Sequence, residues 1–275
     1  MEEAVKDNSL KARWARFHSK LKHTFTETKF GKVWIKYRLQ YLAYTLVMEA
    51  VMAGLYFIAT RIPTQVVTFD TTIIDDKIPF ISYFYFFYLF YYVVPELALW
   101  ALSFYDPKKS LNLTSSCIAM SFLAFICYCS CQVRMVRPQA EAIVAEYANF
   151  SSVYNLDTFF KWAVNLQYTK LDPIPVNCMP SLHCAVSCAV VLTAIPTGKG
   201  EGKFPIGWRI FFGLFGLGII LSTFIIKQHY FFDAIAGTFG FVLVYFIMKL
   251  LIVPTINKHR EKKKLEKQTL AAENQ

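Results

Sequence analysis

The sequence predicts an all-α protein, a polytopic integral membrane bundle of six transmembrane helices with both termini in the cytoplasm. Composition is the first indication, because 55% of the 275 residues are hydrophobic and 17% are charged, whereas about 25% are charged in a typical soluble domain. Long apolar runs are the second indication, and an uneven distribution of Lys and Arg is the third. The same composition excludes a largely disordered chain, which would be poor in aromatic residues.

A bilayer-spanning helix needs about 20 mostly apolar residues. Six runs are candidates, namely residues 40–60, 80–104, 111–133, 181–196, 206–226 and 231–253. The fourth run is short, and its helix is expected to extend into the flanking residues. Pro95 is expected to kink the second span. Strands are not expected, because open sheet edges are not tolerated in lipid. The chain is thus divided into a basic cytoplasmic segment 1–38, a membrane domain 39–253 and a basic cytoplasmic tail 254–275.

The positive charges indicate how the spans are oriented. If residues 1–38, the turns near 105–110 and 197–210, and the tail from 249 share one side, that side holds 22 of the 29 Lys and Arg residues. Cytoplasmic loops are enriched in these residues, so both termini are predicted to be cytoplasmic, which an even number of spans allows. The net charge of +10 is therefore an orientation signal, and the bilayer rather than a nucleic acid is the expected partner.

Two segments outside the spans carry helical patterns. Residues 8–29 place apolar side chains every three or four positions among Lys and Arg, which predicts a basic amphipathic helix at the inner interface. A solvated basic tail is the alternative. Residues 134–178 form a long outer connection, and their apolar content predicts ordered helices on the surface.

Several features of the membrane domain are not assigned to a site. The aromatic-rich segment 80–92 is expected to be an interfacial belt that runs into a packed helix, with a wall for acyl chains as the alternative. Glu49 and Glu96 lie within spans, either as a buried pair or as functional polar contacts. The cysteines toward the outer face are expected to be free thiols, with a disulfide between Cys131 and Cys178 as the alternative. They are Cys127, Cys129, Cys131 and Cys178.

Ionisable residues gather at the outer end of the predicted bundle. His183 opens the fourth span, His229 and Asp233 lie between the fifth and sixth, and Arg134 and Arg137 end the third. Placing an ionisable group within the bilayer costs free energy, so such residues are candidates for function. Three separate parts of the chain are therefore predicted to meet in one site.

His229 and Asp233 are four residues apart, so on a helix they share a face. Asp233 can accept the proton of one ring nitrogen and leave the other free as a nucleophile. Ser222 precedes His229 by seven residues and lies on nearly the same stripe if the helix continues.

The segment around His183 carries the features of an anion site. Pro180 suits the first turn of a helix, and the free N–H groups there bind an anion together with the Ser181 hydroxyl. Arg137 can supply a bidentate phosphate contact. With the two histidines and Asp233, these features predict phosphoryl transfer through a phosphohistidine. A zinc site made of the same two histidines and Asp233 fits the spacing equally well.

These motifs resemble those of the type 2 phosphatidic acid phosphatase superfamily of membrane phosphatases and phosphotransferases. That family's pattern is Lys-x6-Arg-Pro, then Pro-Ser-x-His, then Ser-Arg-x5-His-x3-Asp. The second piece is present as PSLH over 180–183 and the third as STFIIKQHYFFD over 222–233, while Arg137-Pro138 is a partial first piece.

The resemblance implies that His229 is the nucleophile, that Asp233 orients it and that His183 protonates the leaving group. It also implies three phosphate ligands, namely Arg137, Ser181 and Ser222. The family uses no metal and no other cofactor, so none is expected here. The implied substrate is a lipid phosphate or phospholipid, handled on the extracytoplasmic side, with the plasma membrane as the expected location.

Two cations of the family's pattern are missing, because Ser130 and Thr223 occupy their positions. We expect Arg134 and Lys227 to compensate as phosphate ligands. The PSLH and ST…H…D forms are similar to the inositolphosphotransferase branch, which includes inositol phosphorylceramide synthase and moves a phospho-head group to a lipid alcohol. The missing cations are also compatible with another class, a non-catalytic transporter or scaffold on the same fold.

Overall fold

The computed structural model describes residues 14–15, 19, 29–68, 74–136, 157–171, 175–196, 204–252 and 254. The chain separates into two compact units, Met1–Tyr44 and Thr45–Gln275. The described residues are mostly helical, which confirms the predicted helical class. The predicted amphipathic helix over 8–29 and the basic tail lie almost entirely outside the described residues.

Among the described residues, four helices are long and apolar enough to cross a membrane. They are α1 (Lys29–Ala59), α4 (Pro107–Ser130), α7 (Ile206–Ile225) and α8 (Phe231–Ile247), and α8 continues into a π-helical turn over Met248–Ile252. In α1 the apolar part is Leu39–Ala59. These helices agree with the first, third, fifth and sixth predicted spans.

The second predicted span is broken rather than continuous. It consists of α2 (Tyr85–Leu89), a 3₁₀ turn (Phe90–Tyr92) and α3 (Val94–Ser103), and the two halves meet at 57°. Pro95 lies in the first turn of α3, where a missing N–H is tolerated, and Val93 before it has a non-helical conformation. The break thus falls just ahead of the proline that was expected to cause a kink.

The fourth predicted span contains only a short helix, α6 (Leu182–Thr193). Its 12 residues rise about 18 Å, less than the roughly 30 Å of a bilayer core. The helix packs against α7 and α8, and most of its side chains are buried. Neighbouring helices therefore surround α6, which suits a helix that carries functional side chains.

Two short strands join the ends of the long helices, contrary to the expectation of none. β1 (Val66–Val67) pairs in parallel with β2 (Gln132–Val133), and Val133 forms a further bridge to Asn177. These residues lie outside the apolar helices, where the edge of a sheet is tolerated. The Gln132 side chain also donates to the Ala59 carbonyl over 2.9 Å. The ends of α1 and α4 and the segment before α6 are thereby held together.

The outer connection contains the amphipathic helix predicted for it. α5 (Asp157–Leu166) buries Ala163 and Val164 and exposes Trp162, and a π-helical turn over Gln167–Leu171 follows it. Residues 137–156 of the connection lie outside the described part of the chain. The seven cysteines all lie in the described residues and none forms a disulfide, so the alternative Cys131–Cys178 bond is not present.

Candidate functional site

His183 and His229 face one another across the end of the helical bundle. His183 lies in the first turn of α6, and His229 lies in the turn between α7 and α8. Nε2 of His229 is 3.3 Å from Nδ1 of His183, which is hydrogen-bonding distance when one of the nitrogens carries a proton. Both side chains line one cavity of about 180 Å³.

The other nitrogen of His229 is held by the backbone. Nδ1 lies 3.1 Å from the carbonyl oxygen of Cys178 and 3.6 Å from Oδ2 of Asp233. A carbonyl only accepts hydrogen bonds, so this contact places the ring proton on Nδ1. In the neutral ring, Nε2 then carries the lone pair that faces His183. Asp233 contributes a nearby negative charge, and the Cys178 carbonyl makes the hydrogen bond that orients the ring.

Asp233 has a second role at the start of α8. Its Oδ2 accepts the Tyr230 backbone N–H over 3.0 Å, and its own backbone N–H donates to the Tyr230 carbonyl over 3.0 Å. The carboxylate is fully buried. A buried carboxylate in the first turn of a helix also interacts favourably with the helix dipole, so Asp233 fixes the turn that carries His229.

The turn before α8 overturns the expected alignment of Ser222 with His229. α7 ends at Ile225, and the N–H groups of Gln228 and His229 both donate to the Thr223 carbonyl over 2.9 Å. Ser222 is fully buried, and its hydroxyl donates to the Ile219 carbonyl over 2.6 Å. The two residues therefore do not share one helical stripe, because the chain turns between them.

Ser181 caps α6 and ties it to α8. Its Oγ accepts the Cys184 N–H over 3.3 Å, and its own N–H donates to the Asp233 carbonyl over 3.2 Å. Pro180 precedes this cap rather than lying in the first turn as predicted, and its carbonyl accepts the Tyr128 hydroxyl over 2.6 Å. The PSLH segment is thus anchored to both α4 and α8.

Gly237 allows the close approach of α6 and α8. A Cβ atom at this position would lie 2.2 Å from the Ser181 carbonyl oxygen. Backbone atoms cannot move aside as a flexible side chain can. Gly237 therefore sets the separation of the two segments that carry His183 and Asp233.

Lys227 holds the turn instead of reaching toward an open site. Its Nζ donates to the carbonyls of Asp75 and Ile78, the latter over 2.7 Å, and its backbone has a φ of 55°. Asp75 in turn accepts the Phe231 N–H over 2.8 Å. Burial lowers the pKa of the Lys227 ammonium, and the charges of Asp75 and Asp76 oppose that shift.

The predicted arginines occupy different positions relative to the turn. Arg134 has an exposed side chain, its N–H donates to the Val67 carbonyl over 2.9 Å, and its carbonyl accepts the Tyr230 hydroxyl over 3.3 Å. Burial raises the pKa of that phenol, which keeps it protonated as a donor. Arg137 lies outside the described residues.

The two positions that lack the family's cations are engaged locally. Thr223 is fully buried, its hydroxyl donates to the Ile220 carbonyl over 2.7 Å, and its Oγ1 lies 3.3 Å from Sγ of Cys184. Ser130 donates to the Ile126 carbonyl over 2.8 Å. Thr223 thus fills the α6–α7 contact, and a long cationic side chain there would require repacking.

Lys170 is a cavity residue that sequence reasoning did not assign to the site. It lies in the π-helical turn after α5 and lines the cavity together with both histidines. The sequence offered one indication of this role, namely that Lys170 lies in the outer connection, which has an amphipathic pattern. Nothing in the sequence, however, indicates which residue of that connection folds back over the histidines.

A metal-binding combination is present, but it differs from the predicted His183–His229–Asp233 set. Ligand atoms of Cys178, His229 and Asp233 all lie within 4.8 Å of one another. A thiolate, an imidazole and a carboxylate suit zinc chemically. In this conformation, however, the Cys178 thiol donates to the Pro175 carbonyl over 3.3 Å, and Nδ1 of His229 faces the Cys178 carbonyl.

An apolar helical bundle with paired histidines at the end of a cavity is an arrangement suited to a membrane enzyme. The model of the PAP2 superfamily matches residues 69–247, which include both histidines and Asp233. The chain therefore belongs to the PAP2 superfamily. Membership indicates phosphatase or phosphotransferase chemistry on lipid phosphates in membranes. Among curated proteins and among solved structures, none is significantly similar to the chain.

Proposed function

We propose that the protein is a membrane lipid-phosphate phosphatase or phosphotransferase that works through a phosphohistidine on His229. The observation that carries the proposal is the 3.3 Å approach of His229 Nε2 to His183 Nδ1, with the opposite nitrogen of His229 held by a carbonyl. One ring thereby presents a lone pair, and the other lies within reach to move a proton.

In the first step, the lone pair on His229 Nε2 attacks phosphorus and the bond from phosphorus to the lipid oxygen breaks. His183, protonated, gives its proton to that oxygen, and the lipid alcohol leaves. The phosphorylated imidazole of His229 carries a positive charge, which the Cys178 carbonyl and the Asp233 carboxylate stabilise.

In the second step, water or an alcohol attacks the same phosphorus. His183 takes the proton of the attacking hydroxyl, the phosphorus–nitrogen bond breaks and His229 returns to its neutral form. Water as acceptor makes the protein a phosphatase. A lipid alcohol makes it a head-group transferase of the inositolphosphotransferase type, which is the alternative within the same chemistry.

Lys170 is the cation that we assign to the phosphate, because it shares the cavity with both histidines. Lys227 is engaged with two backbone carbonyls and acts as a positioning residue. Arg134 and Arg137 stay as predicted phosphate ligands. Ser181 and Ser222 are buried and hydrogen-bonded to the backbone, so we assign these two predicted ligands to positioning the site rather than to direct phosphate contact.

The proposed membrane topology has six spans with cytoplasmic termini. Four long helices and the bent α2–α3 pair supply five spans, and the short α6 would supply the sixth within the bundle. The histidines then face the extracytoplasmic side, with the plasma membrane as the proposed location. Adding a glycosylation acceptor to the 137–156 segment tests this side, because only an extracytoplasmic segment would be glycosylated in a eukaryotic host.

To test the proposal, the purified protein is incubated with a panel of lipid phosphates and phospholipids, and the products are identified by mass spectrometry. We expect release of a diacylglycerol or its equivalent, and loss of that release in His229→Ala. Adding a lipid alcohol should divert phosphorus to a new lipid if the protein is a transferase. A transporter or scaffold would turn over none of these lipids and would keep its biological role in His183→Ala.

A further inference from the structure

The cavity that contains the histidines also contains a carboxylate from the middle of a membrane helix. Glu49 lines it from α1, ten residues before the helix ends at Ala59, a distance of about 15 Å along the axis. Within the described part of the chain, Glu49 Oε1 is buried and has no hydrogen-bond partner. Glu96 of α3 interacts with Glu49. The interacting group is thus a second acid rather than a cation.

The two carboxyl groups are close enough to share one proton, which leaves the pair with one negative charge. An intramembrane acid is costly unless it meets a cation or keeps a proton. Because the Glu49 side chain faces a cavity rather than a basic residue of α3, a ligand can supply the cation.

The wall of the cavity contains several aromatic side chains. Its tyrosines form two edge-to-face pairs, with Tyr91 and Tyr92 centred 5.3 Å apart at 75° and Tyr56 and Tyr128 centred 6.4 Å apart at 88°. Rings that meet at steep angles around a cavity are the arrangement that binds quaternary ammonium groups through cation–π contacts.

Tyr91 connects this aromatic region to the proposed reaction. Its ring centroid lies 4.2 Å from that of His183, and Tyr91 and Glu49 line the same cavity. Lys170 lines the same cavity. One part of the cavity therefore suits an anion at the histidines and Lys170, and another part suits a cation at Glu49 and the tyrosines.

We infer that the cavity binds a phospholipid head group that bears an ammonium, with its phosphate at His229 and its ammonium against Glu49 and the tyrosines. The inference rests on the proposed function and narrows its substrate class. A polyol such as inositol would hydrogen-bond to Glu49 but would leave the negative charge of the carboxyl pair without a compensating cation. A polyol head group is therefore the competing outcome of the test.

The test compares turnover of phosphatidylcholine, phosphatidylethanolamine, phosphatidylinositol and phosphatidic acid with identical acyl chains. We expect kcat/KM for the two ammonium lipids to exceed that for phosphatidylinositol by about tenfold or more, since a desolvated cation–π contact of about 2 kcal/mol corresponds to roughly 30-fold. Glu49→Gln should lower the ratio of kcat/KM for phosphatidylcholine over phosphatidic acid by a similar factor, mainly through KM. Asp76→Asn removes an exposed negative charge outside the cavity and should leave that ratio at its wild-type value.

Ring substitutions separate cation binding from packing. Tyr92→Phe keeps an aromatic face and should largely preserve the head-group ratio, whereas Tyr92→Leu should lower it. A preference for phosphatidylinositol, or an equal loss on all four lipids in Glu49→Gln, would overturn the inference and leave the proposed function intact.

Binding provides a measurement that does not depend on turnover. Soluble phosphocholine and inositol phosphate are titrated against His229→Ala protein. We expect phosphocholine to bind more tightly and to lose that advantage in the His229→Ala, Glu49→Gln double variant. Equal binding of the two ligands would overturn the inference. Absence of turnover of every lipid by the wild type would instead overturn the proposed function.

Discussion

Nε2 of His229 lies 3.3 Å from Nδ1 of His183, although the two residues are 46 positions apart in the chain. Two aromatic rings pack against His183, with the Tyr88 ring stacked at 4.7 Å and the Tyr91 ring tilted by 43° at 4.2 Å. His183 is thus fixed by stacking, and His229 is fixed by the Cys178 carbonyl. A fixed His229 ring limits the reorganisation needed when a phosphate approaches its Nε2 from the cavity.

His183→Ala should lower kcat by about 10²–10⁴-fold, the usual contribution of a general acid. The loss should shrink for a p-nitrophenyl phosphodiester, because its leaving group needs no proton. The measurement is the ratio of kcat values, variant to wild type, for an alkyl and a nitrophenyl substrate. An equal loss on both substrates would contradict the assignment of His183 as the acid.

Asp233→Asn should separate the capping role of Asp233 from its charge. The amide oxygen still accepts the Tyr230 N–H, so the melting temperature in detergent should change little, while kcat falls because the phosphorylated ring loses its neighbouring negative charge. Asp233→Ala removes the cap as well and should cost about 0.5–2 kcal/mol of stability. Thermal unfolding and turnover of both variants check this, and unchanged kcat in Asp233→Asn would argue against an electrostatic role.

Gly237→Ala should disrupt the site through the α6–α8 contact. The new methyl group would lie 2.2 Å from the Ser181 carbonyl oxygen, and such overpacking typically costs about 1–3 kcal/mol. We expect a lower melting temperature and at least a tenfold lower kcat. Gly240→Ala is the matched control on α8, because its methyl group meets the flexible end of Met120 at 3.0 Å, and it should be near wild type in both measurements.

Lys170 and Lys227 should respond differently to loss of their charge. Lys170→Met is expected to raise KM and lower kcat for every lipid phosphate, because the phosphate loses a cation. Lys227→Met should instead release the Asp75–Ile78 segment from the turn, which lowers stability and increases hydrogen exchange of the 75–78 amides. If Lys227→Met raised KM as much as Lys170→Met without faster exchange, Lys227 would be a phosphate ligand as the sequence suggested.

Motif spacing was enough to predict that His183, His229 and Asp233 lie close together. Helix ends were harder to predict, because they depend on long-range backbone contacts. The Ser222–His229 alignment required a continuous helix, but the chain turns at Lys227, whose φ of 55° is stabilised by carbonyls about 150 residues away. No local pattern carries that information.

Apolar length predicted the long helices well and the shorter elements less well. The break before Pro95 follows from a local rule, whereas the exact bend depends on packing against α7. The sequence could not identify Lys170 as a site residue, because its place in the cavity lining depends on how the outer connection folds. The carboxylate of Glu49 was visible as an intramembrane charge, but its position in the histidine cavity required the structure.

Trapping of a phosphoenzyme tests the central claim most directly. Purified protein is incubated with a ³²P-labelled lipid phosphate in the presence of a strong chelator, quenched in alkali and digested for mass mapping. We predict an acid-labile, alkali-stable phosphoryl group on His229 that forms despite the chelator. It should accumulate when the second step is slow, and it should be absent from His229→Ala. Chelator-sensitive turnover without a phosphoenzyme, or full turnover by His229→Ala, would contradict the account and favour a metal centre at Cys178, His229 and Asp233.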